Sequence, residues 1–293
     1  MNKTWFVTGA ARGIGAEIVK AALNAGDKVV ATGRDPKKIE QAFNVSRDRL
    51  LPLALDVTRD EQAPAAVEAA IRHFGRIDVL VNNAGYGHLG LFEDSTDDEI
   101  RRQFATNVFG LMAVTRAVLP GMREQRDGRI FNISSVAGLK GGFGAALYCA
   151  SKFAVEGFSQ SIAEEVAPFG VHVTAISPGF IRTDFLDPSS VRYSDGRIAD
   201  YAKAVADMHA FYENRSHNQA GDPARLAAVI VHLASVADPP ISFVAGSDAV
   251  ARATDAIKQR EAQLDAWRAL SISTDGDWTV SAGEGVADAS ARH

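Results

Sequence analysis

The sequence predicts an α/β fold built on a doubly wound parallel sheet. Two observations carry this. Short apolar, β-rich runs alternate with helical patterns as far as Gly179, the rhythm of β-α-β units with right-handed crossovers and a sheet covered on both faces. The first of these runs also opens directly into "TGAARGIG", which places Gly9, Gly13 and Gly15 between a strand and a helix.

"TWFVTG" (4–9) is predicted as a buried strand, and "IGAEIVKAALNAG" (14–26) as a helix with a terminal glycine cap. "KVVATGR" (28–34) is the second strand. "DPKKIEQAF" (35–43) is a helix in which Asp35 caps and Pro36 takes the first helical position. Strands follow at 50–57 and 77–85, with a helix at 60–75 between them. A long helix is expected from about 96 to 126, kinked at Pro120. A fifth strand at 128–138 runs into a loop, and 146–170 is a long helix leading to a sixth strand at 171–179. Beyond Gly179 the pattern loosens. Residues 199–215 and 223–236 are helical, 241–246 is a last strand, and 248–272 is a charged amphipathic helix.

No linker separates two cores. The expected organisation is one domain over 1–273, with a substrate lid at about 186–217 and a C-terminal helical extension. The remainder, 274–293, is rich in Gly, Ala, Ser and Asp, has little to bury beyond Trp278, and is expected to be disordered.

The bulk composition excludes several classes. The chain has 293 residues, 46% of them hydrophobic and 23% charged, as in ordinary globular proteins. Its formal net charge of −5 and the lack of a basic stripe argue against nucleic acid. A single cysteine, Cys149, excludes an intramolecular disulfide and fits a cytoplasmic location. The chain enters its first strand without a signal-type apolar core, and no run approaches a membrane span. No His, Asp or Glu spacing makes a convincing metal site.

A glycine turn between a strand and a helix aims the helix N-terminus at a phosphate. The spacing here is Gly-x-x-x-Gly-x-Gly, which differs from the common dinucleotide fingerprint, and a tight turn without a ligand has the same appearance. The second strand ends in "ATGRD". An acidic residue there would bind a ribose hydroxyl, whereas Arg34 offers a fork of donors to a 2′-phosphate, with Arg12 as a second donor. Charge-assisted hydrogen bonds contribute roughly 1.5–3 kcal/mol each, so two would favour NADP over NAD by about 100-fold or more. Arg34 could equally be a solvated surface charge.

Tyr148 and Lys152 are four residues apart and share a helix face. Most such pairs are surface pairs. An ammonium beside a phenol, however, stabilises the phenolate and brings a proton donor and acceptor toward working pH. Ser134 and Ser135, at the end of the fifth strand, supply a hydroxyl that could hold the same substrate oxygen.

With these motifs in this order, the sequence resembles the short-chain dehydrogenase/reductase family, a Rossmann-type fold. The resemblance covers about 3–185 and the elements at 222–250. It rests on "TGAARGIG", "LDV", "NNAG", "ATNVFG", "ISS", "YCASK" and "SPGFIRTDF". It implies an NADP(H)-dependent enzyme in which Tyr148 is the general acid/base and Lys152 tunes it and binds the nicotinamide ribose. Ser135, thirteen residues before the tyrosine, would orient the substrate oxygen. Asn107 would shape its helix so that a carbonyl holds a water on a proton path to Lys152. Gly9, Arg12, Gly13, Ile14 and Gly15 would meet the cofactor phosphates, with Arg34 marking the NADP-preferring branch. Asp56 and Val57 would pin the adenine. Asn83, Ala84 and Gly85 would line the cofactor, and Pro178, Gly179, Ile181 and Thr183 would meet its carboxamide and phosphates. The usual Gly-Gly ending after the last strand is absent, and a helix of about 25 residues follows instead, as in members near hydroxysteroid- and retinol-type enzymes. This puts the common tetramer in doubt, although a homo-oligomer is still expected.

The expected substrate is a small carbonyl compound or alcohol, apolar in character. Tyr86, Leu89, Leu139 and Phe143 are candidate walls, and Tyr201, Phe211 and Tyr212 of the lid could close over it, although ordinary helix packing would explain those aromatics equally well. His88 is expected to be structural or exposed, and Cys149 to be a packed residue. Two other readings stand beside the reductase: an NAD-dependent secondary-alcohol dehydrogenase, and a non-catalytic NADP-binding regulator. The intact Asn107, Ser135, Tyr148 and Lys152 set weighs against the last.

Overall fold

The computed structural model describes residues 2–187, 190–194 and 198–276. The ordered elements begin with β1 (Thr4–Val7), α1 (Gly13–Asn24), β2 (Lys28–Gly33), α2 (Pro36–Ala42), β3 (Leu50–Ala54), α3 (Gln62–Phe74), β4 (Val79–Asn82) and β5 (Gly87–Leu89). Next come α4 (Asp97–Phe104), α5 (Leu111–Gln125), β6 (Gly128–Ile133), α6 (Ala146–Val166) and β7 (Val171–Pro178). The last are β8 (Val191–Tyr193), α7 (Ala202–Glu213), α8 (Pro223–Leu233), β9 (Ser242–Ala245) and α9 (Ser247–Ile272).

The seven-stranded sheet has the order β3-β2-β1-β4-β6-β7-β9, with every pair parallel. The chain winds outward from β1 to β3, then returns to β4 on the other side of β1 and continues to β9. The reversal between β1 and β4 opens a crevice at the carboxyl ends of those strands, which is where sheets of this kind hold ligands.

Strand alternation divides the core in two. Trp5 and Val7, Val29 and Ala31, and Val79 and Val81 pack on one face with Ile18 of α1 and Leu226 and Ile230 of α8. Phe6, Val30 and Leu80 face the other way, against Val67 of α3, Val114 and Met122 of α5, and Val166 of α6. Burying both faces explains why these strands read as continuous apolar runs rather than alternating ones. Between β4 and β6, Asn82 Nδ2 donates to Thr115 Oγ1 (2.8 Å) and Asn132 Oδ1 (2.9 Å), while Asn132 Nδ2 donates to Ser159 Oγ (2.9 Å). This buried ladder ties the central strands to α5 and α6.

The long helix expected at about 96–126 is three segments. A capping box, in which Thr96 and Glu99 bond reciprocally, starts α4. Residues 105–110 then widen into a π-helical turn before α5. This π-helical turn lies upstream of Pro120, which stands inside α5. Its cause is tertiary: Asn107 is drawn in to bond Tyr86, and Gly110 lies so close to β3's exit that a Cβ there would be 2.7 Å from Val57 Cγ2. The short strands β5 and β8 pair in parallel as a separate ribbon, Gly87 to Val191 through Leu89 to Tyr193. Three-residue strands with a partner about 100 residues away leave no local pattern in the sequence.

Two compact units are distinguished, one ending at Ala253 and the other starting at Thr254. In the second, the described part is helical to Ile272, with Leu264, Trp267 and Leu270 exposed. The tail expected to be disordered lies outside the described residues from 277 onward.

Candidate active site

A cleft of about 1030 Å³ lies at the β1/β4 reversal. Its floor is built by the loops leaving those two strands. Thr8 Oγ1 accepts from the backbone N–H groups of Asn83 and Ala84, both at 3.0 Å, and Asn83 Nδ2 donates to the carbonyls of Thr8 (2.9 Å) and Gly9 (3.0 Å). The glycine turn and "NNAG" thus fold as one piece. Gly9 (φ +64°) and Gly13 (φ +57°) occupy the left-handed region, and a Cβ on Gly9 would lie 2.9 Å from Ala84 Cα. Gly9, Arg12, Gly13 and Ile14 line the cleft, and α1 starts without a side-chain cap, so its first amides keep their affinity for an anion. Gly15 does not line it. It is buried beneath the turn, where a Cβ would collide with the Gly9 carbonyl and sit 2.5 Å from Asn83 Nδ2.

At one end of the cleft, Gly33 and Arg34 leave β2. Asp35, the acidic neighbour, accepts from Lys37 N–H (3.1 Å) as the N-cap of α2. Asp56 and Val57 face Arg34. Burial would raise the Asp56 carboxyl, but hydrogen bonds from Thr58 N–H (3.0 Å) and Oγ1 (2.7 Å), with Arg34 and Arg59 nearby, outweigh it and hold the carboxyl below its usual range. Across the cleft, Pro178, Gly179, Ile181 and Thr183 follow β7. The Thr183 methyl and Cβ lie 3.7 Å from where a Gly13 Cβ would be, so the post-β7 loop closes over the glycine turn.

Ala84, Gly85, Ser135, Tyr148 and Lys152 line the centre. Ser135 leaves β6; its hydroxyl accepts from Ala137 N–H (3.1 Å) and bears on the Tyr148 phenol. One turn further along α6, Lys152 Nζ lies 5.8 Å from the Tyr148 ring centroid and donates to the Ile133 carbonyl at 2.7 Å. Burial pushes the Tyr148 phenol up to about 12, against the lowering effect of Ser135. The same burial brings the Lys152 ammonium down to about 8, with Glu156 one turn below opposing the fall. Lys152 is turned to a carbonyl, and burial is the largest influence on the phenol. Asn107 lies behind the cleft wall, buried, where Oδ1 accepts from Tyr86 N–H (3.1 Å) and Nδ2 donates to Tyr86 O (3.0 Å) and Ser151 Oγ (3.1 Å).

Residues 3–193 match the short chain dehydrogenase family. The chain belongs to the short-chain dehydrogenase/reductase family. Over 275 residues it is 38% identical to oxidoreductase BOA17 of Botryotinia fuckeliana, covering 94% of this chain and all of that protein. It is 37% identical to a 3-ketodihydrosphingosine reductase of Bacteroides thetaiotaomicron, covering 82% of this chain and 86% of the relative. A short-chain dehydrogenase from Streptomyces avermitilis superposes with a TM-score of 0.86 at 37% identity, covering 93% of this chain and 100% of that one. Cofactors differ among solved neighbours. ElxO has NADP bound (TM-score 0.69, 28% identity, 84% and 97% covered). A 3-ketoacyl-(acyl-carrier-protein) reductase from Brucella melitensis is complexed with NADH (TM-score 0.70, 27% identity, 83% and 96% covered). The protein is therefore an oxidoreductase of a family whose members use NAD(H) or NADP(H).

The cleft walls differ from expectation for several residues. Tyr86, Leu89 and Tyr212 line it, but Leu139, Phe143, Tyr201 and Phe211 do not. Phe143 is 62% exposed, Tyr201 donates to Glu93 Oε2 (3.1 Å), and Phe211 packs edge-on to Tyr212 under Arg215. The apolar lining comes instead from Phe180, Phe185 and Leu186. His88 is buried in β5 beside Ser194 Oγ (3.2 Å), and burial lowers its pKa. Burial likewise pushes the Cys149 thiol up. Asp184, Asp187 and His217 come within 4.8 Å of one another, a grouping no short spacing reveals. It is closed internally, with His217 Nε2 3.1 Å from Asp187 Oδ1.

The sequence did not reveal three supporting residues. Thr8 clamps "NNAG", Gln103 Nε2 donates to Tyr86 O (3.0 Å), and Asp248 accepts from Phe180 N–H (2.9 Å). Each acts on backbone from a distant element, so only the folded chain identifies it.

Proposed function

We propose that the protein is an NADP(H)-dependent oxidoreductase that reduces a ketone or aldehyde to an alcohol, reversibly, with Tyr148 as general acid/base. The observation that carries this is that Ser135, Tyr148 and Lys152 line the same cleft as the glycine turn, with Lys152 Nζ 5.8 Å from the Tyr148 ring centroid.

The residues present fit a dinucleotide. The close approach at Gly9 and the uncapped start of α1 form a cradle that side chains would fill, and Arg12 and Arg34 line the cleft where a 2′-phosphate would be read. A bound nicotinamide would supply the hydride. The chain supplies the rest. Ser135 holds the substrate oxygen, and Tyr148 gives it a proton in reduction or takes one in oxidation. Lys152 binds the ribose hydroxyls and returns the proton, while Asn107 fixes the π-helical turn behind it. The relative named as a 3-ketodihydrosphingosine reductase supports a ketone substrate. A homo-oligomer, a cytoplasmic location and a single domain over 1–273 belong to the same reading. NAD-dependent oxidation of a secondary alcohol is the second reading; the NADH complex of the Brucella melitensis neighbour supports its cofactor.

Initial rates of NADPH and NADH consumption, measured side by side over aldehydes, ketones and steroid-like ketones, test this. A kcat/KM for NADPH at least about tenfold above that for NADH is expected from one charge-assisted hydrogen bond. A preference for NADH would overturn the assignment of Arg34. No turnover with either cofactor would overturn the reductase.

A further inference from the structure

The cleft is cationic in an acidic protein. It is lined by seven Lys or Arg residues and three Asp or Glu residues, whereas the chain carries a net −5. Arg12, Arg34 and Lys152 fall to the cofactor in the reading above. Arg102, Lys140, Arg192 and Arg252 remain.

Two of these line the cleft with Tyr86 from separate elements. Arg102 lies on α4 next to Gln103, whose amide bonds the Tyr86 carbonyl at 3.0 Å. Arg192 lies on β8 as the register partner of His88, two residues beyond Tyr86. Both bear electrostatically on the Tyr86 phenol. Neither makes an ion pair or hydrogen bond with a described residue, and both are exposed. The acidic neighbour Glu99 is occupied, with Oε2 accepting from Thr96 N–H (2.8 Å) and Oγ1 (2.9 Å). Apolar surface from Leu89, Phe185 and Leu186 lines the same cleft.

We infer that the substrate is a carbonyl compound with an apolar body and an anionic group, a carboxylate or phosphate, and that Arg102 and Arg192 bind that group beside Tyr86. Two exposed guanidinium groups that line one cleft, without an ion pair among the described residues, suit a planar or tetrahedral oxyanion. This refines the expectation of a purely apolar substrate and rests on the reductase reading for the reaction itself.

The test compares keto acids of graded chain length with their methyl esters, and keto phosphates with the matching keto alcohols. NADPH oxidation is followed in wild type and in an Arg102→Gln/Arg192→Gln double variant. The acid should exceed its ester in kcat/KM by at least about tenfold, the value of one charge-assisted hydrogen bond. That ratio should collapse toward one in the double variant and shrink with added salt. The phosphate arm shows which oxyanion is preferred. Esters turned over as well as acids, or a preference that survives in the double variant, would overturn the inference while leaving the reductase intact. Titration calorimetry of the keto acids gives a readout independent of turnover. Acid binding that is lost in the double variant supports the anion site even if no compound is reduced. Equal binding by both proteins, or no acid binding at all, overturns it.

Discussion

In the proposed reaction, Lys152 is expected to set a pH limit that Tyr148 does not. Burial pushes the phenol up to about 12, which in the proposed reduction keeps it available as the proton donor. The ammonium, lowered from 10.5 to about 8, is the form that carries charge and three donors. Because kcat/KM reports the free enzyme, its value for reduction is expected to be level below about pH 8 and to fall about tenfold per unit above it. Stability moves the other way. The folded state releases this proton more readily than the unfolded chain, so the buried charge disfavours folding below about pH 8. That cost is relieved between about 8 and 10.5. Glu156, a buried carboxylate one turn from Lys152, opposes the lowering, and Glu156→Gln should move the kinetic midpoint to lower pH. An unmoved midpoint in a pH–rate series would show that Lys152 does not control the profile. At the other end of the cleft, Arg34→Ala should weaken NADPH binding about tenfold or more and leave NADH nearly unchanged, as read by fluorescence titration. Tyr148, Lys152 and Ser135 were legible because their spacing is local to one helix and one strand end. Glu156 was not, because its relevance depends on burial, which no spacing shows.

The glycine turn works through close approach more than through flexibility. Gly15 never reaches the cleft, yet a Cβ there would strike the Gly9 carbonyl and Asn83 Nδ2. Gly15→Ala should therefore cost about 1–3 kcal/mol by overpacking and also weaken cofactor binding. Thermal unfolding and NADPH titration measure the two effects separately, and a variant with unchanged stability would contradict the packing described. The main strands and helices were legible because each strand is buried on both faces and each helix carries an apolar stripe. What stayed hidden was non-local. The π-helical turn at 105–110 is imposed by the bonds from Asn107 to Tyr86, and the β5–β8 ribbon by a pairing across the chain. Pro120, the strongest local breaker in that region, sits within a continuous helix.

Winding reversal, glycine turn and the Ser135, Tyr148 and Lys152 group meet at one crevice because β1, β4 and β6 are neighbours whose carboxyl ends point the same way. The residues required there come from positions 9 to 252 of the chain, and the topology alone brings them together. The glycine turn, "NNAG" and Arg34 were legible because each motif is short and sits at a strand end, and all three reach the cleft. The proposed substrate side depends on α4, β8 and the loop after β6, and its charge emerges only once they are assembled. The most direct test of the whole account is NADPH-dependent carbonyl reduction by wild type and Tyr148→Phe, with the alcohol product quantified. Loss of a general acid predicts a fall in kcat/KM of about 10²–10⁴-fold. A Tyr148→Phe protein that forms alcohol at the wild-type rate would contradict it.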